Sequence, residues 1–117
     1  MRDFKKLLIW QQGMVIVDKV YDIIPYLPVE EKFEMRSQMT RSATAIPANI
    51  AEGSAKRSEK DYVRYVEIWF GSAFELETYL LIVQKRKWVA EKMIVELLEV
   101  IKTEQKMLAK FIEKVGS

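Results

Sequence analysis

Tyr62, Val66, Trp69, Ala73, Leu76, Leu80 and Val83 recur at steps that alternate between four and three. That spacing belongs to one face of an α-helix, and a run this long leaves no room for a strand reading. One flanking column carries Tyr65, Ile68, Ser72, Glu75, Tyr79 and Ile82, and the other Val63, Glu67, Phe70, Phe74, Glu77 and Leu81. Only Arg64, Gly71, Thr78 and Lys85 form a column free of apolar residues. The apolar arc is wider than one bundle core requires of a single helix. Exposed aromatics are expected among Trp69, Phe70, Phe74 and Tyr79, and with them a subunit interface.

Three further helices follow from the same periodicity. Leu7, Trp10, Met14, Val17, Tyr21 and Ile24 predict a first helix, ended by the two prolines of Ile24-Pro25-Tyr26-Leu27-Pro28. Val29-Glu30-Glu31-Lys32 is expected to open a second, its acids suited to the positive helix N-terminus. That helix carries Phe33, Met35, Met39, Ala43, Ile46 and Ile50 and closes near Gly53. Ser58, with Asp61 three residues on, is an N-cap for the third helix. After the Lys85-Arg86-Lys87-Trp88 corner, the fourth is expected to bury Ile94, Leu98, Ile101, Gln105, Leu108, Ile112 and Val115. Helices of roughly 20–27 residues span about 30–40 Å. With short connections they predict an all-α fold, an antiparallel up-down four-helix bundle, as a single domain over residues 1–117.

Composition closes most catalytic routes. There is no cysteine, hence no disulfide, thiolate metal site or cysteine nucleophile, and no histidine, hence no classical triad or Glu-x-x-His di-iron pair. Glu75 and Glu77 stand two apart on a helix and point in different directions, and the isolated glycines form no phosphate loop. No enzymatic activity, cofactor, metal or small-molecule substrate is expected. No apolar run approaches the roughly 18 residues of a membrane span, and residues 1–12 lack the apolar core and cleavage site of a signal peptide. A cytoplasmic protein is expected. The net charge of +2 is weak evidence for a nucleic-acid partner.

The second helix sets Pro47 inside an otherwise helical run, at a cost of about 3 kcal/mol. Gln38, Ser42, Ala45, Asn49 and Glu52 share one column, with Arg41 at its edge. These residues, with Glu75 as the opposite charge for Arg41, are expected to form a polar network that fixes register and subunit geometry. Asn49 is expected to bond the Ala43 carbonyl that Pro47 leaves without its N–H partner. Basic residues gather in two corners, Lys56, Arg57, Lys60 and Arg64, and Lys85, Arg86 and Lys87. They read either as solvated helix ends or as candidate nucleic-acid phosphate contacts.

The string Ile46-Pro47-Ala48-Asn49-Ile50-Ala51-Glu52-Gly53, with Ser37-Gln38 before it and Gly71-Ser72-Ala73 and Glu75-Leu76-Glu77-Thr78 after it, resembles a known family. This is the four-helix-bundle family of proteins encoded in intervening sequences of bacterial 23S ribosomal RNA genes. The resemblance implies an up-down bundle, assembly into a homopentamer, and no established enzymatic activity. The accessory proteins of diversity-generating retroelements are similar in fold; those strongly basic pentamers bind a reverse transcriptase and nucleic acid. Where the family often has two successive arginines this chain has Thr40 and then Arg41, and its charge suits RNA less well than theirs. The expected function is a non-catalytic oligomeric interaction protein whose partner is RNA or a nucleic-acid-processing protein. The alternative is a self-assembling scaffold with no nucleic-acid role.

Overall fold

The structure is a computed structural model, described here over residues 3–31 and 33–116. Four helices carry it: α1 (Leu8–Ile23), α2 (Met35–Ser54), α3 (Glu59–Arg86) and α4 (Glu91–Gly116). Each boundary has a local cause. α1 ends where Pro25 enters a single 3-10 turn, closed by the Leu27 N–H donating to the Ile24 carbonyl at 3.1 Å. At the start of α3 the Asp61 N–H donates to Ser58 Oγ at 3.1 Å, the expected cap. Its end is turned by Lys87 in the left-handed region, φ 59°. There the Trp88 N–H reaches the Val83 carbonyl across the last turn.

The expected opening of α2 is corrected. Val29–Glu31 forms a separate 3-10 turn, in which the Glu31 N–H donates to the Pro28 carbonyl, and α2 begins at Met35. Lys32 lies outside the described residues. Phe33, expected on the buried stripe, therefore falls in the connection and is 83% exposed.

The helices run up, down, up and down, packed in the cyclic order α1–α2–α3–α4, in a body of 44 × 23 × 20 Å. The whole predicted seam of α3, from Tyr62 to Val83, is buried. Trp69, which the periodicity places in the seam and which is also expected among the exposed aromatics, is fully buried, its ring 6.2 Å from that of Phe111. Among the other three aromatics Phe74 is exposed, while Phe70 and Tyr79 are half-buried.

Two seams lie elsewhere than the periodicity suggests. α1 buries Ile9, Gly13, Ile16, Val20 and Ile23, whereas Met14 and Tyr21 are exposed. Both series step by three and four; the buried one is made of β-branched residues around a glycine, which lets α2 approach closely. A Cβ at Gly13 would stand 3.3 Å from Ile46 Cγ2 and 3.5 Å from Pro47 Cδ. α4 buries Ile94, Leu97, Ile101, Glu104 and Leu108, leaving Leu98 and Gln105 half-buried. Each fully buried Leu or Ile contributes about 1.5–3 kcal/mol, so these seams carry the fold.

Candidate functional site

Three groups of residues carry more than packing: the polar stripe of α2, the basic corners, and a carboxylate in the core. Along α2, Met39, Ala43, Ile46, Pro47 and Ile50 face inward. Ser42 is buried with them, its hydroxyl donating to the Met39 carbonyl at 3.2 Å. The rest of the stripe lies toward the surface. Gln38 Oε1 accepts from the Tyr79 hydroxyl at 2.7 Å, and Glu52 Oε1 accepts from the Tyr65 hydroxyl at 3.3 Å. These residues link α2 to α3 at two points.

Two expected contacts are replaced by others. Asn49 Nδ2 donates to the Ala45 carbonyl at 2.7 Å, one helical turn back, and not to Ala43, which lies beyond that reach. Arg41 Nη2 donates to Ser37 Oγ at 3.1 Å. Among the described residues no ion pair joins Arg41 to Glu75, which is exposed on α3. Arg41 sits at the edge of the Gln38–Glu52 column, and its guanidinium turns back along α2 to Ser37, one turn earlier, instead of reaching across to α3.

The two basic corners occupy opposite ends of the molecule, because they stand at the two ends of the 28-residue α3. At one end Lys56 is half-buried, its Nζ 4.8 Å from the Tyr65 ring centroid. Lys60 and Arg64 line a groove of about 440 Å³ together with Glu59, Glu67, Val63 and Val115, so acids interrupt the positive charge. The up-down topology brings Lys5, Lys6, Lys110 and Lys114 to this same end, a gathering that reading the corner alone does not reveal. Exposed Arg57 completes it. Lys85, Arg86 and Lys87 stand exposed at the other end.

The core carboxylate belongs to Glu104, which is fully buried, and among the described residues neither of its oxygens has a hydrogen-bond partner. Burial pushes the carboxyl from an ordinary 4.5 up to about 8, so it is neutral at pH 7. A Cβ at Gly13 would lie 3.4 Å from Glu104 Oε2. Sequence reading passes over this residue because an acid is taken to point outward. The series Leu97, Ile101, Leu108 already sets position 104 on the seam. Among the described residues no cluster of three or more acids could hold a metal ion, and no helix is long and apolar enough to cross a membrane.

This architecture has known relatives. A structure described as a protein with unknown function from the S23 ribosomal protein family of Bacteroides thetaiotaomicron VPI-5482 superposes with a TM-score of 0.83 at 21% identity. The alignment covers 90% of this chain and 98% of that one, a likeness of fold. No curated protein matches the chain. The profile of the 23S rRNA-intervening sequence protein family matches residues 5–110, nearly the full length and including the whole Ile46–Gly53 string. The chain belongs to the 23S rRNA-intervening sequence protein family.

Proposed function

We propose that this protein is a non-catalytic interaction module that works as a homo-oligomer, a homopentamer by its family resemblance, with RNA or a nucleic-acid-processing protein as its partner. The observation that carries the reading is the distribution of exposed apolar side chains. α1 presents Leu8, Met14, Val15 and Tyr21, and α3 presents Ile68, Phe74, Leu81 and Ile82. These two helices are diagonal in the bundle. Exposed apolar faces of this kind mark contact surfaces. Two different faces on opposite corners suit a head-to-tail contact, which closes into a ring when the rotation per subunit permits and does not demand an even number of copies.

The nucleic-acid part of the reading rests on the family's tie to the 23S ribosomal RNA gene and on the basic residues that topology gathers at one end. Sedimentation equilibrium at micromolar concentration tests the assembly. A ring of about five copies is expected, and Ile68→Glu with Phe74→Asp should yield monomers that keep their helicity. A wild-type monomer would overturn it. RNA retained at low salt and released at high salt is the expected mark of the partner; an RNA-free oligomer with copurifying proteins would favour the scaffold reading.

A further inference from the structure

The outward face of α2 differs from those of α1 and α3. No large apolar side chain is exposed on it, so the contact surfaces proposed above leave it open. Along its N-terminal half runs an open groove of about 470 Å³, lined by Arg36, Ser37, Thr40, Arg41 and Thr44. Other grooves mix signs: Lys60 and Arg64 stand with Glu59 and Glu67, and Lys19 stands with Glu96 and Glu99. Here two guanidinium groups share a lining that contains no carboxylate, and among the described residues neither is in an ion pair.

Both arginines are held in place by neutral partners. Arg36 Nη2 donates to the Leu27 carbonyl at 2.9 Å, which ties its base to the α1–α2 connection. Arg41 Nη2 donates to Ser37 Oγ, and the Ser37 hydroxyl proton remains available. Thr40 and Thr44 turn their hydroxyl protons inward, to the Arg36 and Thr40 carbonyls at 2.8 Å each, and form the walls. Arg36 Nε is buried and, among the described residues, has no hydrogen-bond partner. What the groove offers is the remaining guanidinium N–H donors, chiefly those of exposed Arg41, and one hydroxyl, with no competing acid in the lining. Guanidinium forks match the paired oxygens of a phosphate and are weakly hydrated, so they give up water readily on contact.

We propose that this groove is an oxyanion site that holds a backbone phosphate of a nucleic-acid strand, with Arg36, Ser37 and Arg41 as its donors. The proposal rests on the nucleic-acid reading above for the source of the phosphate, and on the groove's own geometry for the site. It also accounts for a chain of low net charge meeting a polyanion, since affinity then comes from placed donors and not from the overall field.

The test uses the full-length protein, a fluorescein-labelled twelve-nucleotide oligoribonucleotide followed by anisotropy at low salt, and inorganic phosphate followed by amide NMR shifts. The wild type should bind the oligonucleotide. Arg41→Gln should weaken it about tenfold and lower the salt slope by about one; Ser37→Ala should weaken it less. Arg41 is exposed, so unchanged thermal melting should confirm that the fold is intact. Oligonucleotide binding that neither substitution affects would overturn the site and leave the nucleic-acid reading standing. A wild type that ignores the oligonucleotide but shows phosphate-induced shifts at Ser37 and Arg41 would keep the oxyanion site and remove the nucleic acid as its source. Neither response would remove both.

Discussion

Gly13 on α1 faces the Glu104 carboxyl on α4 at contact distance: a side chain at position 13 would begin 3.4 Å from Glu104 Oε2. The glycine and the buried acid are two halves of one packing arrangement. A neutral carboxyl fits there; a charged one would sit in the core with no hydrogen-bond partner.

That sets the pH dependence. The folded carboxyl titrates near 8 and the unfolded one near 4.5. Between those values the folded state binds the extra proton, so the stability owed to the neutral form is complete below about 4.5. It is lost as pH rises to about 8. Glu104→Gln keeps the shape without the titration. Urea denaturation of the two proteins should show the variant gaining on the wild type by about 1.4 kcal/mol per pH unit across that window, and levelling off above it.

Glycine-to-alanine exchange should change sign along the sequence. At Gly53 a new Cβ would lie 2.8 Å from Tyr65 Cβ, so α2 and α3 must move apart. Overpacking of this kind costs about 1–3 kcal/mol and outweighs the helix-propensity gain of about 0.5–1 kcal/mol. Gly71 meets nothing within 4 Å. There the propensity gain stands alone, and Gly71→Ala should stabilise by about 0.5–1 kcal/mol. Chemical denaturation at low protein concentration checks both.

Lys87 is the one non-glycine residue with positive φ among those described. Its left-handed backbone closes α3 at the expense of a Cβ contact that glycine would not make. Lys87→Gly should therefore raise stability by about 1 kcal/mol, read as a rise in Tm, even though it removes a surface cation.

The Tyr79–Gln38 hydrogen bond, at the surface between α3 and α2, should contribute about 0.5–1.5 kcal/mol. A double-mutant cycle of Tyr79→Phe and Gln38→Ala should return a coupling of that size. Independent, additive effects would mean that the bond does not bear on stability.

How much of this the chain discloses depends on how unambiguous each helix is. α3 is legible to the residue because its best column is aliphatic and aromatic throughout and contains no charged side chain. α1 is apolar on two overlapping arcs, so three-and-four spacing selects Met14 and Tyr21 as readily as Ile16 and Val20. Only the fit of Gly13 against Ile46 and Pro47 decides between them. On α4 Glu104 occupies a core position, and polarity alone argues against burying it. The partner of Arg41 is also hidden: Gln38 and Glu52 reach α3 through Tyr79 and Tyr65, whereas Arg41, at the edge of the same column, turns back along α2 to Ser37. Helix number, order and most boundaries need only local chemistry, whereas contacts between helices need the three-dimensional rotation of each.

The two tyrosine contacts stand two heptads apart on both helices, Gln38 to Glu52 and Tyr65 to Tyr79. Ala45 sits midway between the two acceptors. If α2 slid along α3 by one heptad, its repeating apolar pattern would still meet a greasy surface. Yet a slip in either direction would bring one tyrosine hydroxyl opposite Ala45, where no side-chain acceptor waits, and would move Gly53 off Tyr65. The hydroxyls thus act as a vernier on an otherwise repetitive scale: apolar spacing brings the helices together, and the tyrosines specify the notch at which they stop.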